Sequence, residues 1–272
     1  MTIVQAILIA IVEGLTEFLP ISSTGHMIIA ERLLGVQGDF VKLFTVAIQL
    51  GAILAVIVLY WKKFFDFSRW QFYVKLVVGV LPALLLGYLF SDKIDELLES
   101  PLTVALTMLL GGIVLLFVDT LFQNPTIETD AKITYPKSFI IGCWQVLAMV
   151  PGVSRSAATI IGGMQQRLTR SLAAEFSFFL AVPTMFAASA HALFLKKWTM
   201  DGAPHRGYEL ITQNSANTSA FVVGNVVAFV VALLAIRFFI GFLKKYGFRV
   251  FGVYRIIAGA VLLLLLFSGF LK

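Results

Sequence analysis

The first 34 residues contain two short apolar stretches with a polar interruption between them. Residues 3–34 read IVQAILIAIVEGLTEFLPISSTGHMIIAERLL. Neither apolar part, 3–17 or 22–34, reaches the about 20 residues that a helix needs to cross the hydrocarbon core of a membrane. Proline disfavours helix in the residue before it, and serine is a preferred N-cap. The interruption at 20–25 therefore predicts the end of one half-helix and the start of another.

A second interrupted pair lies near the middle of the chain. Its apolar stretches, 138–150 and 154–166, flank the segment PGVSRS at 151–156. Proline and serine again stand where the two half-helices should separate. We expect each pair to enter the membrane and return to the side from which it came.

Six further stretches are long enough to cross the membrane, and they run near 43–61, 70–90, 101–122, 171–195, 219–243 and 249–271. Apolar residues make up 59% of the 272 positions and charged residues only 13%, whereas soluble domains contain roughly 45–50% apolar residues. The 25 phenylalanines fall in long apolar runs instead of alternating with polar residues, which argues against a β-barrel. The sequence predicts an all-α integral membrane protein.

The two halves of the chain resemble one another. The matched pairs are 13–24 with 145–156, Phe44 with Phe176, Gly79 with Gly224, and GGIVLL at 111–116 with GAVLLL at 259–264. One re-entrant pair and three spans give each half an odd number of crossings, so the second half should be inverted relative to the first. We expect a single membrane domain, 1–272, with inverted-repeat halves at about 1–125 and 136–272.

Lysine and arginine residues are unevenly divided between the two sets of loops. Ten lie on one side, namely Lys62, Lys63, Arg69, Lys132, Lys137, Arg167, Arg170, Lys244, Lys245 and Arg249. Seven lie on the other, namely Arg32, Lys42, Lys93, Lys196, Lys197, Arg206 and Lys272. Because positively charged loops remain in the cytoplasm, the side with ten is expected to be cytoplasmic and both termini to lie outside.

The remaining charges and the cysteine content exclude several other functions. The net charge of +6 resides mainly in short loops, without a basic stripe interleaved with aromatic residues, which argues against nucleic-acid binding. A single cysteine, Cys143, excludes a disulfide within the chain. Five charged residues inside the spans lie within two turns of a helix end, so we interpret them as interfacial anchors. They are Lys75, Asp119, Glu175, Arg237 and Arg255.

Two glutamates, Glu13 and Glu17, lie inside the first apolar stretch at a spacing of i, i+4. On a helix this spacing places them on one face about one turn apart. Two desolvated carboxylates repel each other, so a proton or a divalent cation must neutralise them. Carboxylate and phosphate oxygens together suit Mg²⁺ or Ca²⁺. The alternative is that one glutamate pairs with a basic group of another helix.

Three hydroxyl residues, Ser22, Ser23 and Thr24, open the second half-helix. The free N–H groups and the positive dipole end of a helix N-terminus attract anions. Ordinary N-capping would explain a lone serine, but here three hydroxyls follow two carboxylates. We therefore predict that Ser22, Ser23 and Thr24 form a binding site for an anionic substrate.

Arg155 stands at the second interruption, and it is the arginine that we expect to contact substrate. A guanidinium can hold phosphate oxygens through two parallel hydrogen bonds. Its alternative role is a salt bridge to Glu13 or Glu17. Ser154, Ser156 and Thr159 in the same segment are predicted to bind substrate with it.

His26 lies about one turn beyond Ser22 and Ser23. It could exchange a proton with either hydroxyl or with a leaving group. The alternative is a hydrogen-bonded packing role. The other two histidines, His191 and His205, are interpreted as structural or loop residues.

Three segments resemble the bacterial undecaprenyl-diphosphate phosphatase family, the bacitracin-resistance type of integral membrane phosphatase. They are VEGLTEFLPISSTGH at 12–26, PGVSRSAAT at 151–159 and EFSFFLAVP at 175–183. Length, segment order and internal duplication agree over the whole chain. One variation is Ala157, where relatives often have glycine, and alanine is similarly small.

The resemblance implies an enzyme of the bacterial plasma membrane that converts undecaprenyl diphosphate to the monophosphate and inorganic phosphate for peptidoglycan synthesis. It implies that the functional groups are Glu13, Glu17, Ser23, His26 and Arg155. It also implies a divalent cation and a site open to the outer face. Bacitracin would act indirectly, by sequestering the diphosphate lipid.

The sequence leaves the mechanism and part of the function open. Either Ser23 attacks to form a phosphoserine, or a water attacks with Glu17 or His26 as base. A polyprenyl-phosphate lipid transporter or flippase, alone or combined with hydrolysis, is the alternative function, because inverted repeats around an anion site serve alternating access. The isoprenoid tail and membrane lipids should contact the outer Phe and Leu surface. Oligomeric state stays open, with a homodimer as one option.

Overall fold

Helices form nearly all of the regular structure in the computed structural model, which describes residues 1–98, 100–200 and 202–269. The first half contains α1 Ile3–Thr16, α2 Ser23–Leu33, α3 Asp39–Ala47, α4 Gln49–Leu59, α5 Trp61–Phe64, α6 Trp70–Leu89, α7 Ser91–Leu98 and α8 Pro101–Leu121. The second half contains α9 Tyr135–Val146, α10 Arg155–Gln165, α11 Arg170–Ala190, α12 Gly207–Thr212, α13 Ser215–Tyr246 and α14 Arg249–Phe267.

Two interrupted helix pairs are present where the sequence predicts them. Helices α1 and α2 flank the segment at 20–25, and α9 and α10 flank the segment at 151–156. A 3₁₀ turn, Leu147–Met149, continues α9 towards its interruption. In both pairs a serine occupies the N-cap of the second helix, Ser22 for α2 and Ser154 for α10.

Six helical segments in the described part of the chain are long and apolar enough to cross a membrane. They are Asp39–Leu59, Trp70–Leu89, Pro101–Leu121, Arg170–Leu195, Ser215–Tyr246 and Arg249–Phe267. Each coincides with a predicted span, although residues 270 and 271 of the last one, and Lys272 beyond it, lie outside the described residues. The multi-pass helical architecture is therefore confirmed.

A short β-hairpin is the one departure from an all-α fold among the described residues. Strands β1 Lys197–Met200 and β2 Ala203–Arg206 pair in antiparallel register between α11 and α12. Trp198 on β1 is buried and donates its indole N–H to the carbonyl oxygen of Ala192 at 2.8 Å. The hairpin thereby packs on the π-helical end of the preceding span, His191–Leu195.

The helices of the two halves pack in reciprocal pairs. Helix α1 of the first half packs on α13 of the second, and α9 of the second half packs on α6 of the first. Likewise α4 packs on α13 and α11 on α6, while α8 and α14 pack on each other. A helix of one half and its counterpart thus pack on equivalent helices of the opposite halves, which agrees with the repeated order of elements. Inversion of one half relative to the other stays a prediction.

A glycine contact allows one of these pairs to approach closely. A Cβ atom built on Gly142 of α9 would lie 2.1 Å from the carbonyl oxygen of Gly79 on α6. No side chain fits in that space, so the backbones of α6 and α9 are in direct contact. Small residues at such crossings are typical of helices packed in membranes.

Charged side chains cluster at the loop end of α5 and α6. Asp130 accepts a hydrogen bond from Arg69 at 2.8 Å, and the Nζ atom of Lys63 lies 3.5 Å from both Asp130 and Glu175. Burial raises the pKa of Asp130, but Lys63 and Arg69 more than offset this effect and hold the pKa below its usual value. Glu175 pairs with Lys63, as we expect of a charged residue near a helix end.

Arg255 on α14 is not an interfacial anchor, and that prediction is wrong. Its side chain is 0% exposed. It donates hydrogen bonds to backbone carbonyl oxygens at 2.8–3.4 Å, belonging to Pro20, Thr107, Met108, Gly152 and Val153. Because it lies two turns from the start of its helix, sequence position suggested the interface, whereas packing of α14 against α8 places it in the interior.

Candidate functional site

The two interruptions meet in the interior of the protein. Ser156 at the start of α10 donates its hydroxyl to the carbonyl oxygen of Phe18 at 2.8 Å. The guanidinium of Arg155 lies over the Phe18 ring, 5.7 Å from its centroid. Arg255 contacts both interruptions from the other side, through Pro20 and through Gly152 and Val153. Residues far apart in sequence therefore form one site.

Both N-cap serines have a backbone conformation that is unusual for residues other than glycine. The φ angles are 69° for Ser22 and 74° for Ser154. Such strain costs on the order of 1–3 kcal/mol and persists only where the surrounding structure imposes it. The Ser154 Oγ atom accepts a hydrogen bond from the N–H of Ala157 at 3.2 Å. The Ser22 Oγ atom is buried and has no hydrogen-bond partner among the described residues.

The carboxylate of Glu17 joins the first residues of the two half-helices. Ser23, the first residue of α2, donates its hydroxyl to Glu17 Oε2 at 2.6 Å. Arg155, the first residue of α10, donates from Nη2 to Glu17 Oε1 at 3.2 Å. Glu17 is only 8% exposed, so both interactions are shielded from solvent. The salt bridge considered for Arg155 is thus present.

Arg155 is held in place by α11 as well. Its Nη1 atom donates to the carbonyl oxygen of Ser177 at 3.0 Å. The Ser177 hydroxyl lies 2.6 Å from that of Thr159, which also donates to the carbonyl oxygen of Arg155 at 2.8 Å. The Nε atom of Arg155 is buried without a partner among the described residues. One donor of the guanidinium is therefore available to a ligand.

Glu13 lies one turn before Glu17 and is 1% exposed. It interacts electrostatically with both Glu17 and Arg155. Its Oε1 atom has no hydrogen-bond partner among the described residues. Within residues 1–98, 100–200 and 202–269, no group of three or more His, Cys, Asp and Glu side chains forms a metal site. A cation here would depend on the two carboxylates and on oxygens of a ligand or water.

His26 uses both ring nitrogens in contacts away from the serine hydroxyls. Its Nδ1 atom lies 2.7 Å from the carbonyl oxygen of Ser22, and its Nε2 atom lies 2.6 Å from the hydroxyl of Tyr254. The His26 and Tyr254 rings stack with a 2° interplanar angle. In this structure the hydroxyl of Ser23 is bonded to Glu17 and not to His26.

The structure brings the predicted site residues together. Glu13, Glu17, Ser22, Ser23 and Arg155 surround the interruption of the first pair, and the half-buried Thr24 lies in the first turn of α2. The side chains of Ser154, Ser156 and Thr159 make hydrogen bonds within the protein. Their roles in binding substrate stay predictions.

Sequence reasoning missed three residues that support the site. Ser177 lies in the quoted segment 175–183, but its contact with Arg155 depends on the packing of α11. Arg255 is a charged residue inside an apolar span, and such residues mark functional sites more often than anchors. No motif or spacing in the sequence marks Tyr254 as part of a site.

Comparison with known proteins identifies the family. The family model described as "Bacitracin resistance protein BacA" matches residues 6–261. A protein of Flavobacterium psychrophilum named undecaprenyl-diphosphatase is 56% identical over 268 residues, which cover 98% of this chain and 97% of the relative. A protein of Porphyromonas gingivalis with the same name is 52% identical over 287 residues, covering 99% of this chain and 98% of the relative. On these matches, the chain belongs to the BacA bacitracin resistance family.

Proposed function

We propose that this protein hydrolyses undecaprenyl diphosphate to undecaprenyl monophosphate and inorganic phosphate. The observation that supports this most directly is the convergence of Ser23 and Arg155 on Glu17 at 2.6 and 3.2 Å. A hydroxyl bonded to a carboxylate is an activated nucleophile, and a guanidinium beside it neutralises phosphate charge. The relatives named undecaprenyl-diphosphatase match nearly the whole chain.

Polar atoms without protein partners support an anionic ligand at this position. Among the described residues, the buried Ser22 Oγ and Arg155 Nε atoms are donors with nothing to donate to. A buried donor left unsatisfied costs about 1–3 kcal/mol, so both atoms favour an acceptor at the site. Phosphate oxygens are such acceptors. The N–H groups at the start of α2 add further donors and a positive dipole end.

In the proposed mechanism Ser23 attacks the terminal phosphorus of the diphosphate. The Ser23 proton passes to Glu17 as the Oγ–P bond forms, and the bond from this phosphorus to the bridging oxygen breaks. The lipid leaves as the monophosphate. Water then hydrolyses the phosphoserine to release inorganic phosphate and restore the hydroxyl. Arg155 and the N–H groups of α2 stabilise the charge on the transferring phosphoryl group.

A divalent cation, Mg²⁺ or Ca²⁺, fits the two glutamates. Glu13 has one oxygen without a partner among the described residues, while both oxygens of Glu17 are engaged with Ser23 and Arg155. Glu13 would therefore be the main ligand of the cation, with Glu17 as a second carboxylate beside it. Mg²⁺ is commonly bound by one or two carboxylates together with substrate phosphates. When bound, the cation would neutralise charge on the phosphate oxygens.

The cellular setting is part of the same proposal. The six apolar helices fit a multi-pass protein of the bacterial plasma membrane. From the excess of positive loops we expect the connections between α4 and α6, and between α13 and α14, to lie in the cytoplasm and both termini to lie outside. The site would then open to the outer face, where recycled carrier lipid is exposed. Sequestration of that lipid by bacitracin would be relieved by faster hydrolysis.

Phosphate release in detergent tests the proposal. Purified protein is mixed with undecaprenyl diphosphate and Mg²⁺, and we expect inorganic phosphate to be released. Glu17→Gln should lower kcat/KM by roughly 10²-fold or more, because the base is lost and the ion pair with Arg155 becomes a hydrogen bond to a neutral amide. Glu175→Gln is the matched control, since it removes a carboxylate that pairs with Lys63 outside the site. Lipid binding without any phosphate release by the unmodified protein would support the transporter instead.

A further inference from the structure

Tyr254 lies directly against the proposed catalytic histidine. Its hydroxyl is 2.6 Å from His26 Nε2, and the two rings stack with centroids 5.6 Å apart. Tyr254 belongs to α14, whereas His26 belongs to α2, so the contact joins positions 228 apart in the sequence. Tyr254 is about half-exposed. Within the described part of the chain, its hydroxyl forms a hydrogen bond with His26 and with no other predicted site residue.

The two contacts of His26 define its tautomer. The carbonyl oxygen of Ser22 can only accept, so the proton of a neutral ring must reside on Nδ1, which lies 2.7 Å away. The Nε2 atom then carries the lone pair and accepts a hydrogen bond from the Tyr254 hydroxyl. The hydrogen bond made by one ring nitrogen thus sets what the other can do.

We infer that Tyr254 is a positioning residue that keeps Nε2 of His26 turned to α14, while the Ser22 carbonyl oxygen keeps the ring proton on Nδ1. The contact between Tyr254 and His26 does not depend on the proposed function, but its consequence for proton transfer from Ser23 rests on that function. His26 cannot take the proton of Ser23 while Nε2 is bonded to Tyr254. Glu17 is therefore the base for Ser23, and His26 exchanges protons only through the Tyr254 hydroxyl.

Arg255, the neighbour of Tyr254, connects this turn of α14 to the site. Its guanidinium bonds to Pro20, Gly152 and Val153 of the two interruptions. One turn of α14 therefore fixes both the backbone of the site and the hydroxyl that faces His26.

Nitrogen-15 NMR of the imidazole ring tests the inference without any substrate. The protein contains three histidines, so a His191→Gln, His205→Gln background leaves His26 as the labelled ring. We expect a protonated Nδ1 and an unprotonated, hydrogen-bonded Nε2. In Tyr254→Phe the Nε2 signal should move to the position of an unbonded nitrogen, while the proton should stay on Nδ1 because the Ser22 carbonyl oxygen is unchanged. Phenylalanine preserves the ring stacking, so the fold should be retained.

Kinetics supply a second readout. Tyr254→Phe should lower kcat by about 10-fold, short of the 10²–10⁴ attributed to a proton-transfer group itself, and leave KM unchanged. Tyr73→Phe is the matched control, because the Tyr73 hydroxyl also makes a hydrogen bond, but to the carbonyl oxygen of Phe64, which is not a site residue.

Two outcomes would overturn the inference. One is a proton on Nε2 of His26 in the unmodified protein, and the other is an Nε2 signal that Tyr254→Phe leaves in place. If the unmodified protein releases no phosphate, the proposed function fails, while the NMR measurement still decides the role of Tyr254.

Discussion

The guanidinium of Arg155 lies 3.2 Å from the carboxylate of Glu17, although the two residues are 138 positions apart in the sequence. The side chains of Arg155 and Glu17 are only 11% and 8% exposed, so the pair interacts in a medium of lower dielectric constant than water. Removing a charged group from water at such a site is costly unless the group pairs with an opposite charge or contacts a ligand. Bound phosphate would compete with Glu17 for Arg155, which couples substrate binding to the state of the base.

Replacement of Ser23 tests whether it is the nucleophile. Ser23→Ala removes the hydroxyl that donates to Glu17, and we expect phosphate release to fall by about 10³-fold or more. Mass spectrometry of protein quenched during turnover should find a phosphate on Ser23. Loss of only a small factor in rate, with no phosphorylated intermediate, would instead indicate attack by water.

Arg155→Lys should impair substrate binding even though the positive charge is kept. Lysine lacks the planar fork that contacts Ser177 and Glu17 together, so it cannot bind a phosphate through two parallel hydrogen bonds. We expect kcat/KM to fall by roughly 10²-fold, with part of the loss in KM. Arg237→Lys on the exposed face of α13 is the control. Equal losses in the two variants would contradict the assigned role.

Glu13→Gln should weaken the binding of the divalent cation. The free Oε1 atom of Glu13 is the proposed cation ligand, and an amide oxygen binds Mg²⁺ less strongly than a carboxylate does. Rates measured against Mg²⁺ concentration should therefore saturate at higher concentration in the variant. Chelation by EDTA should stop the unmodified enzyme. Full activity in EDTA would exclude a cation from the mechanism.

Arg255→Lys should destabilise the protein. Lysine cannot satisfy the carbonyl oxygens of both interruptions, and each buried group left without a partner costs about 1–3 kcal/mol. We expect the thermal unfolding midpoint in detergent to drop clearly, together with phosphatase activity. The same exposed Arg237→Lys variant should leave both unchanged. An unchanged midpoint in Arg255→Lys would show that the carbonyl contacts do not hold the loops.

Alanine at two glycines should change stability in opposite directions. In Gly142→Ala the new methyl group would meet the carbonyl oxygen of Gly79, so α6 and α9 must separate at a cost of about 1–3 kcal/mol. Gly241 on α13 has open space around it, and Gly241→Ala should stabilise the helix by up to about 1 kcal/mol. Thermal unfolding of both variants checks this. A stable Gly142→Ala protein would mean that the helices are not in backbone contact.

Local sequence features predicted the helices and the chemical groups of the site. Runs of apolar residues placed the six spans, because length and hydropathy alone determine whether a helix can cross a bilayer. The prolines and serines at 20–25 and 151–156 located the interruptions. The repeated order of these elements also indicated that Arg155 should approach Glu13 and Glu17.

The tertiary structure alone decided how these groups are connected. Sequence position made Arg255 an interfacial anchor, but the packing of α8 on α14 buries it beneath both interruptions. The choice of Glu17 over Glu13 as the hydrogen-bond partner of Arg155, and of Tyr254 as the partner of His26, depends on distances between helices that no local pattern encodes. The physical reason is that periodicity and capping act within a few residues, whereas a buried polar group selects its partner from whatever the packed helices bring within hydrogen-bonding distance.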